Sequence, residues 1–239
     1  MTLGQNALAA AIKGLTGLLC RVDAAELERV PEQGPLILVG NHVNFLEVPV
    51  VYTRLRPRPM AVLVKAQSWA HPFLGLFFKI FGGRNAIPLR IGEADRQALQ
   101  RGMAALEAGQ ILVVAPEGTR SGDGRLQQGH PGVVSLALHC GAPILPIAYH
   151  GSERFWHNLL RLRRTDFIIR VGHPFYLEPG SVRVTREVRQ QMADEIMYQM
   201  AALLPPAYRG AYANLEAGTE AFLRFPEGSG SNLRAALGR

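Results

Sequence analysis

Three short stretches of this chain gather side chains that make poor core material but useful chemistry. Asn41-His42-Val43-Asn44-Phe45-Leu46-Glu47 sets an imidazole five residues ahead of a carboxylate. On one continuous helix those two groups would be about 140° apart at 3.6 residues per turn. They can meet only if His42 lies in a loop and Glu47 in the first turn of the helix that follows. Pro49 supports a helix start there, because proline is best tolerated in a first turn. A histidine held by a carboxylate has its tautomer fixed and its imidazolium stabilised, which equips it as a general base. The same residues also read as an Asn44-x-x-Glu47 capping box that needs no chemistry.

The second stretch is Pro116-Glu117-Gly118-Thr119-Arg120-Ser121. Arg120 could grip a phosphate with two parallel hydrogen bonds, and Gly118 would let the backbone approach a ligand closely. An ordinary turn with an internal Glu–Arg pair accounts for the same residues. The third is Gly83-Arg84-Asn85-Ala86-Ile87-Pro88-Leu89-Arg90, in which Arg90 ends a short apolar run; a lone arginine there also fits a solvated surface. A fourth, weaker feature is Pro143-Ile144-Leu145-Pro146-Ile147, whose two prolines suggest a shaped edge or wall.

The elements that must position these loops follow from hydrophobic patterning. Short apolar runs at Leu36–Val39, Ala61–Val64, Ala86–Leu89, Ile111–Ala115, Ile144–Tyr149 and Phe167–Val171 alternate with helical spacings. Leu99, Met103 and Leu106, closed by Gly109, form one helix; Val188, Met192, Ile196 and Leu203, between Thr185 and Pro205-Pro206, mark another. Nearly continuous apolar strands are buried on both faces, so the fold class is α/β, with a central mixed, largely parallel sheet flanked by helices. The blocks at 41 and 116 directly follow strands, where functional loops of such sheets gather. Leu8, Ile12, Leu15, Leu19 and Val22 recur at steps of four and three, predicting an N-terminal amphipathic helix. That helix either packs on the core or lies on a membrane. The expected organisation is an N-terminal segment over 1–30, one domain over 31–212 and a C-terminal tail over 213–239, loosest at Glu227–Asn232.

Composition narrows the setting. The 239 residues carry 26 basic and 19 acidic side chains, a net charge of +7, yet only 19% are charged and 48% are hydrophobic. A basic but charge-poor chain with no helix-turn-helix, zinc-finger or RNA-recognition signature is not expected to bind nucleic acid. It suits partners that are anionic and apolar together. Cys20 and Cys140 cannot build a disulfide framework, no metal-ligand spacing is present, and a reducing cytoplasmic compartment is expected. No apolar run reaches the roughly 18 residues of a spanning helix. Trp69–Phe81, with four phenylalanines and one tryptophan, suits an acyl tunnel, a lipid surface or a core helix. Arg154, Arg161, Arg163, Arg164 and Arg170, interleaved with Phe155, Trp156, Leu159 and Leu160, suit anionic headgroups or a solvated face.

Taken in order, the four blocks resemble the glycerolphosphate and lysophosphatidic acid acyltransferase superfamily. The resemblance rests on Asn41-His42 with Glu47, Gly83 through Ile87 to Arg90, Pro116 to Ser121, and Pro143 to Ile147. It extends to the Leu204-Pro-Pro-Ala-Tyr-Arg-Gly-Ala-Tyr212 ending. The Pro-Glu-Gly-Thr-Arg-Ser block is highly specific. Three positions depart from the family pattern: Glu47 replaces the commoner Asp, Ala115 replaces an aromatic residue, and Gln128 stands at a commonly basic site.

The resemblance implies acyl transfer from acyl-CoA or acyl carrier protein, as co-substrate, to a lysophospholipid or glycerol phosphate. The acceptor expected first is 1-acylglycerol 3-phosphate, and the product phosphatidic acid. It implies His42 as general base, Glu47 as its partner, Arg90 and Arg120 holding the acceptor phosphate, and Glu117, Gly118 and Thr119 completing the same substrate-binding pocket. It implies no cofactor and no metal, and peripheral work on the cytoplasmic face of a membrane. A catalytically weak lipid- or phosphate-binding module, with Glu47 failing as a partner, is the alternative. An acyltransferase for another lysolipid is a further one.

Overall fold

The structure is a computed structural model that describes residues 3–55, 58–65, 86–89 and 95–239. Trp69–Phe81, Gly83 and Arg90 lie outside the described residues. The chain forms a seven-stranded sheet in the order β1-β7-β6-β2-β5-β3-β4. Its strands are β1 (Cys20–Asp23), β2 (Leu36–Gly40), β3 (Met60–Lys65), β4 (Ala86–Leu89), β5 (Ile111–Val114), β6 (Ile144–His150) and β7 (Thr165–Val171). β2 to β6 are mutually parallel; β7 runs antiparallel to β6, and β1 runs parallel to β7. The expected mixed, largely parallel α/β sheet is the one observed.

Alternation along β2 divides the core into two layers. Ile37 and Val39 pack with Leu106, Val134 and Ile196 of α3 (Arg96–Glu107), α4 (Gly132–Cys140) and α6 (Arg186–Ala201). Leu36 and Leu38 face the other way, against Val50 and Val51 of α2 (Glu47–Arg54) and Phe155 of α5 (Phe155–Leu159). A strand covered on both faces must be apolar at every position, which is why β2 reads as an unbroken run. The helix ends follow ordinary capping chemistry. The Asp95 carboxylate accepts from the Ala98 N–H at 3.0 Å, and Gly109 closes α3 at φ +71°. Thr185 accepts from the Val188 N–H to begin α6.

Pro146 sits mid-strand in the sheet. Its carbonyl accepts from the Gly172 N–H at 2.9 Å, and β7 ends at Val171. The ring nitrogen faces the same side and cannot return that bond, and the regular β6–β7 ladder begins one residue later, at Ile147 opposite Val171.

Both chain ends differ from their expected description. Residues 20–23 are an edge strand, so 1–30 is not a separable segment; α1 (Leu3–Leu19) leads directly into the sheet. One side of α1 packs on α2, where Thr16 is buried and accepts from Arg54. The expected stripe is not a single face: Leu8, Ile12 and Leu19 are half-buried, whereas Leu15 is exposed together with Leu18. At the other end, 213–239 is no tail. Leu215, Phe222 and Leu233 are buried, and β9 (Leu223–Arg224) pairs with β8 (Tyr176–Leu177). The buried Glu195 carboxylate accepts from the Ala221 and Phe222 N–H groups at 2.9 and 3.0 Å. Gln199 accepts from the Asn232 N–H at the start of α7 (Asn232–Leu237).

Candidate functional site

The loop after β2 brings the histidine and the carboxylate together. Glu47 is the first residue of α2, and His42 lies in the loop before it. His42 Nδ1 is 2.9 Å from Glu47 Oε2. A carboxylate only accepts, so Nδ1 carries the proton and Nε2 is left to receive one. The same carboxylate accepts from the Asn44 N–H at 3.0 Å, and Ser152 Oγ lies 3.5 Å from Glu47 Oε1. The capping box that Asn44-x-x-Glu47 could have formed is not made, because the helix starts at Glu47 itself with Leu46 before it; the carboxylate has room for the Asn44 N–H and the imidazole together. The longer side chain of glutamate reaches the ring without difficulty from this position.

The loop after β5 folds against the first. His42 has both main-chain groups engaged there: its N–H donates to Glu117 Oε1 at 3.0 Å, and its carbonyl accepts from the Ser121 N–H at 2.8 Å. The Val43 carbonyl accepts from the Gly122 N–H at 3.2 Å. Glu117 Oε2 accepts from the Gln127 N–H at 2.9 Å. Glu117 is 2% exposed, and both oxygens are spent on main-chain donors. It lies behind the histidine and fastens the loop that carries it, shaping the pocket from inside the frame. Gly118 adopts φ +64°, a conformation that favours glycine, and turns the chain outward. Thr119 and Arg120 are exposed on that turn, and Arg120 has no hydrogen-bond or ion-pair partner among the described residues.

Burial pushes the Glu117 carboxyl up to about 7, against the pull of the Gln127 and His42 N–H groups and the His42 ring; the charge on Glu47 pushes it further up. The folded protein thus holds a proton there more tightly than the unfolded chain, whose carboxyl titrates near 4.5. The stability this contributes is complete below about pH 4.5 and is lost as pH rises through about 7, a swing on the order of 3 kcal/mol. Glu117→Gln cannot ionise, and one amide oxygen must serve two donors, so it should be offset in stability but less pH-dependent across this window. Urea melts of both proteins at intervals from pH 4.5 to 7.5 test this; parallel curves would refute it.

Further residues complete the frame. Asn41 bonds both ways with the main chain of Tyr149, its amide donating to the carbonyl at 2.8 Å and its oxygen accepting from the N–H at 2.7 Å. This extends the β2–β6 ladder beyond the strand. Asn44 donates to the Ser152 carbonyl at 2.8 Å and accepts from the Leu46 N–H at 2.8 Å. Burial, and then the charge on Glu47, pushes the Tyr149 hydroxyl upward, so it stays protonated. Ser152 and Tyr149 carried no signal in the sequence. Gln127 is held from the far side: the Leu126 N–H donates to the Tyr208 carbonyl, and its own carbonyl accepts from the Ala211 N–H. Tyr212 Oη accepts from the Gly129 N–H at 3.0 Å. The Leu204–Tyr212 ending thus supports the strip that carries the second Glu117 donor.

An apolar cavity of about 90 Å³ opens beside His42 and Glu47, walled by Val48, Val51, Met60, Val62 and Val113. Ala115 lines it. A larger groove of about 780 Å³, between α6 and residues 128–131, holds neither His42 nor Glu47. The crevice sits where connections leave the sheet on opposite faces: β2 exits through α2 and β5 through α4, the usual ligand position in an open α/β sheet. Among the described residues, no group of three or more His, Cys, Asp or Glu is arranged to hold a metal ion.

Residues 21–150 match the family model described as Acyltransferase. The chain is 30% identical over 168 residues to the chloroplastic 1-acyl-sn-glycerol-3-phosphate acyltransferase BAT2 of Brassica napus; the match covers 69% of this chain and 43% of that protein. It is 24% identical over 191 residues to the 1-acyl-sn-glycerol-3-phosphate acyltransferase of Pseudomonas aeruginosa, covering 77% and 71%. The crystal structure of the 1-acyl-sn-glycerophosphate acyltransferase PlsC from Thermotoga maritima shares the fold, with a TM-score of 0.54. Its identity is 21% over 80% of this chain and 77% of that one. The chain spans less than half the length of the plant relative.

Proposed function

Because this chain belongs to the acyltransferase family, we propose that it transfers a fatty acyl group from a thioester to the hydroxyl of a lysophospholipid. The acceptor proposed first is 1-acylglycerol 3-phosphate, giving phosphatidic acid. The observation that carries this reading is the 2.9 Å contact between His42 Nδ1 and Glu47 at the mouth of an apolar cavity. The names of the relatives point to the same acceptor.

In this mechanism His42 Nε2 takes the proton of the acceptor hydroxyl as its oxygen attacks the thioester carbonyl carbon. Glu47 holds the ring in orientation and stabilises the imidazolium that forms. The tetrahedral intermediate then collapses with loss of the carbon–sulfur bond, and the departing sulfur takes the proton back from His42. No serine or cysteine nucleophile is needed, because the acceptor oxygen plays that part. The donor is acyl-CoA or acyl carrier protein, and the apolar cavity suits the first few carbons beside its thioester. We assign the acceptor phosphate to Arg120 and to Arg90, with Thr119 and the Gly118 backbone beside them.

Arg120→Ala should raise the KM for a phosphate-bearing acceptor by roughly 10- to 100-fold, as expected for one lost charge-assisted hydrogen bond, and change kcat less. Initial rates over an acceptor series measure it, and an unchanged KM would take Arg120 out of the phosphate site. Both substrates are amphiphilic. Among the described residues no helix is long and apolar enough to cross a membrane, and we propose peripheral work at a cytoplasmic membrane surface. The reaction itself is tested by mass spectrometry of the products formed from one acyl-CoA and a panel of lysolipids and glycerol 3-phosphate. Phosphatidic acid is the expected product, and no acylated acceptor from any of them would overturn the assignment.

A further inference from the structure

The antiparallel course of β7 has a spatial result. Its register with β6 runs from Ile147↔Val171 to His150↔Ile168, so its first residue, Thr165, lies at the edge of the sheet where β2 and β5 end. β1 starts beside it, with Cys20 opposite Thr165. The two connections that enter these strands, α1 and residues 156–164, therefore emerge side by side on the catalytic edge. Arg164 Nη2 ties them together, lying 2.6 Å from the Gly17 carbonyl and 2.8 Å from that of Cys20.

These connections expose what a core would normally hide. Leu162 is 95% exposed, Leu160 86%, Leu18 70%, Trp156 61% and Leu15 55%. Among the described residues only one other large apolar side chain, Val182, is similarly exposed. Leu162 is also the one non-glycine residue at positive φ among them, at +53°. Its turn is closed by N–H groups of Arg161, Leu162 and Arg163 donating to the Asn158 and Leu159 carbonyls. A glycine or asparagine would sit there relaxed, and a leucine so exposed has almost no packing among the described residues. The charge around it has one sign: residues 1–22 and 154–164 contain Lys13, Arg21, Arg154, Arg161, Arg163 and Arg164, and no aspartate or glutamate. Of these, Arg21 faces Asp166 at 3.6 Å. Arg170, grouped with this cluster on sequence grounds, is neutralised by Asp23 at 2.8 Å and Glu26 at 3.6 Å.

The patch also touches the catalytic loop. The Phe45 ring, between His42 and Glu47 in sequence, lies 5.6 Å from the Trp156 ring and 5.6 Å, edge-on, from the Phe155 ring. We propose that residues 156–164, together with Leu15 and Leu18 of α1, insert into an anionic phospholipid surface and seat the His42 crevice against it. Apolar side chains ringed by uncompensated arginines match the acyl boundary and phosphate layer of such a surface. The inference rests on the acyl-transfer reading for its purpose, while the binding itself stands on the surface alone.

Flotation of the full chain with phosphatidylcholine vesicles, with and without phosphatidylglycerol, tests it, alongside transfer to a short-chain, monomeric lysolipid. Leu160→Glu/Leu162→Asn should lower partition into anionic vesicles by at least about tenfold and keep the rate on the monomeric acceptor. Arg161→Gln/Arg163→Gln should reduce the preference for anionic over neutral vesicles by about tenfold or more, as expected for two lost headgroup contacts. Unchanged partition in both variants would overturn the proposal, as would loss of activity on the monomeric acceptor in the leucine variant. A change of oligomeric state in place of vesicle binding would also overturn it. Wild-type protein that floats with anionic vesicles but acylates neither acceptor would sink the reaction and leave the docking face standing.

Discussion

Replacing His42 with alanine should lower acyl transfer by about 10²- to 10⁴-fold while leaving the protein folded. That is the usual loss when a positioned general base is removed. Folding should survive because, apart from the imidazole–Glu47 bond, the contacts that fix this loop are made by its main chain. The main-chain N–H of residue 42 still meets Glu117, and its carbonyl still meets the Ser121 N–H. Glu47 keeps the Asn44 N–H as a donor. The side chain is about 30% exposed, so truncation opens the crevice rather than a sealed void. Glu47→Gln should lose less, because an amide oxygen can still accept from Nδ1 and only the charge facing the imidazolium is gone. Release of free CoA thiol with a lysophosphatidic acid acceptor, read beside the thermal melt, checks both. Near-wild-type turnover in His42→Ala would remove the general base from the account.

Gly210→Ala should be strongly destabilising although the position lies outside the main core. Gly210 adopts φ +50°, and a Cβ there would come within 2.1 Å of the Leu126 carbonyl oxygen and 2.8 Å of its nitrogen. The obstructing atoms are backbone, so no rotamer change relieves them. The left-handed conformation alone costs about 1 kcal/mol or more with a side chain. Displacing the 126 strip adds the loss of its bonds to Tyr208 and Ala211. A total of about 3 kcal/mol would lower Tm by roughly 6–12 °C in a protein of this size. Because Leu126 adjoins Gln127, which bonds Glu117, activity should fall more steeply with temperature than in the wild type. Calorimetry decides the stability claim: an unchanged Tm would mean that the strip yields freely.

The parts of this fold that burial dictates were legible in the residues. β2, β5 and β6 are covered on both faces and so read as apolar runs, and the helices over 96–107 and 186–201 show their buried stripes and caps. β1 escaped notice because four residues, Cys-Arg-Val-Asp, alternate inward and outward at a sheet edge and leave almost no apolar signature. The C-terminal stretch escaped for a different reason. It is fixed largely by buried polar groups, Glu195 and Gln199 gripping the main chain at 221–222 and 232, and hydropathy is blind to such bonds. At the site, the residue types told that His42 and Glu47 could pair, and they do. The type of Glu117 told nothing of its direction: beside Gly118 and Arg120 it fits a pocket wall and an internal Glu–Arg pair in a turn equally well. Two main-chain donors, one 75 residues back in the chain and one ten ahead, turned it inward.

That clamp bears on how such a site can be inherited or transplanted. The loops at 41–44 and 117–127 are stitched by a carboxylate and by paired main-chain contacts from Ser121 and Gly122 to His42 and Val43. They are two pieces of chain but one component. A chimaera that imports the histidine loop from a relative without the Pro-Glu-Gly turn brings a base with nothing behind it. Importing the turn alone strands a buried carboxylate without its partner. Recombination between acyltransferases of this kind is therefore best cut outside residues 36–129, where the exchanged unit carries both halves of its own fastening.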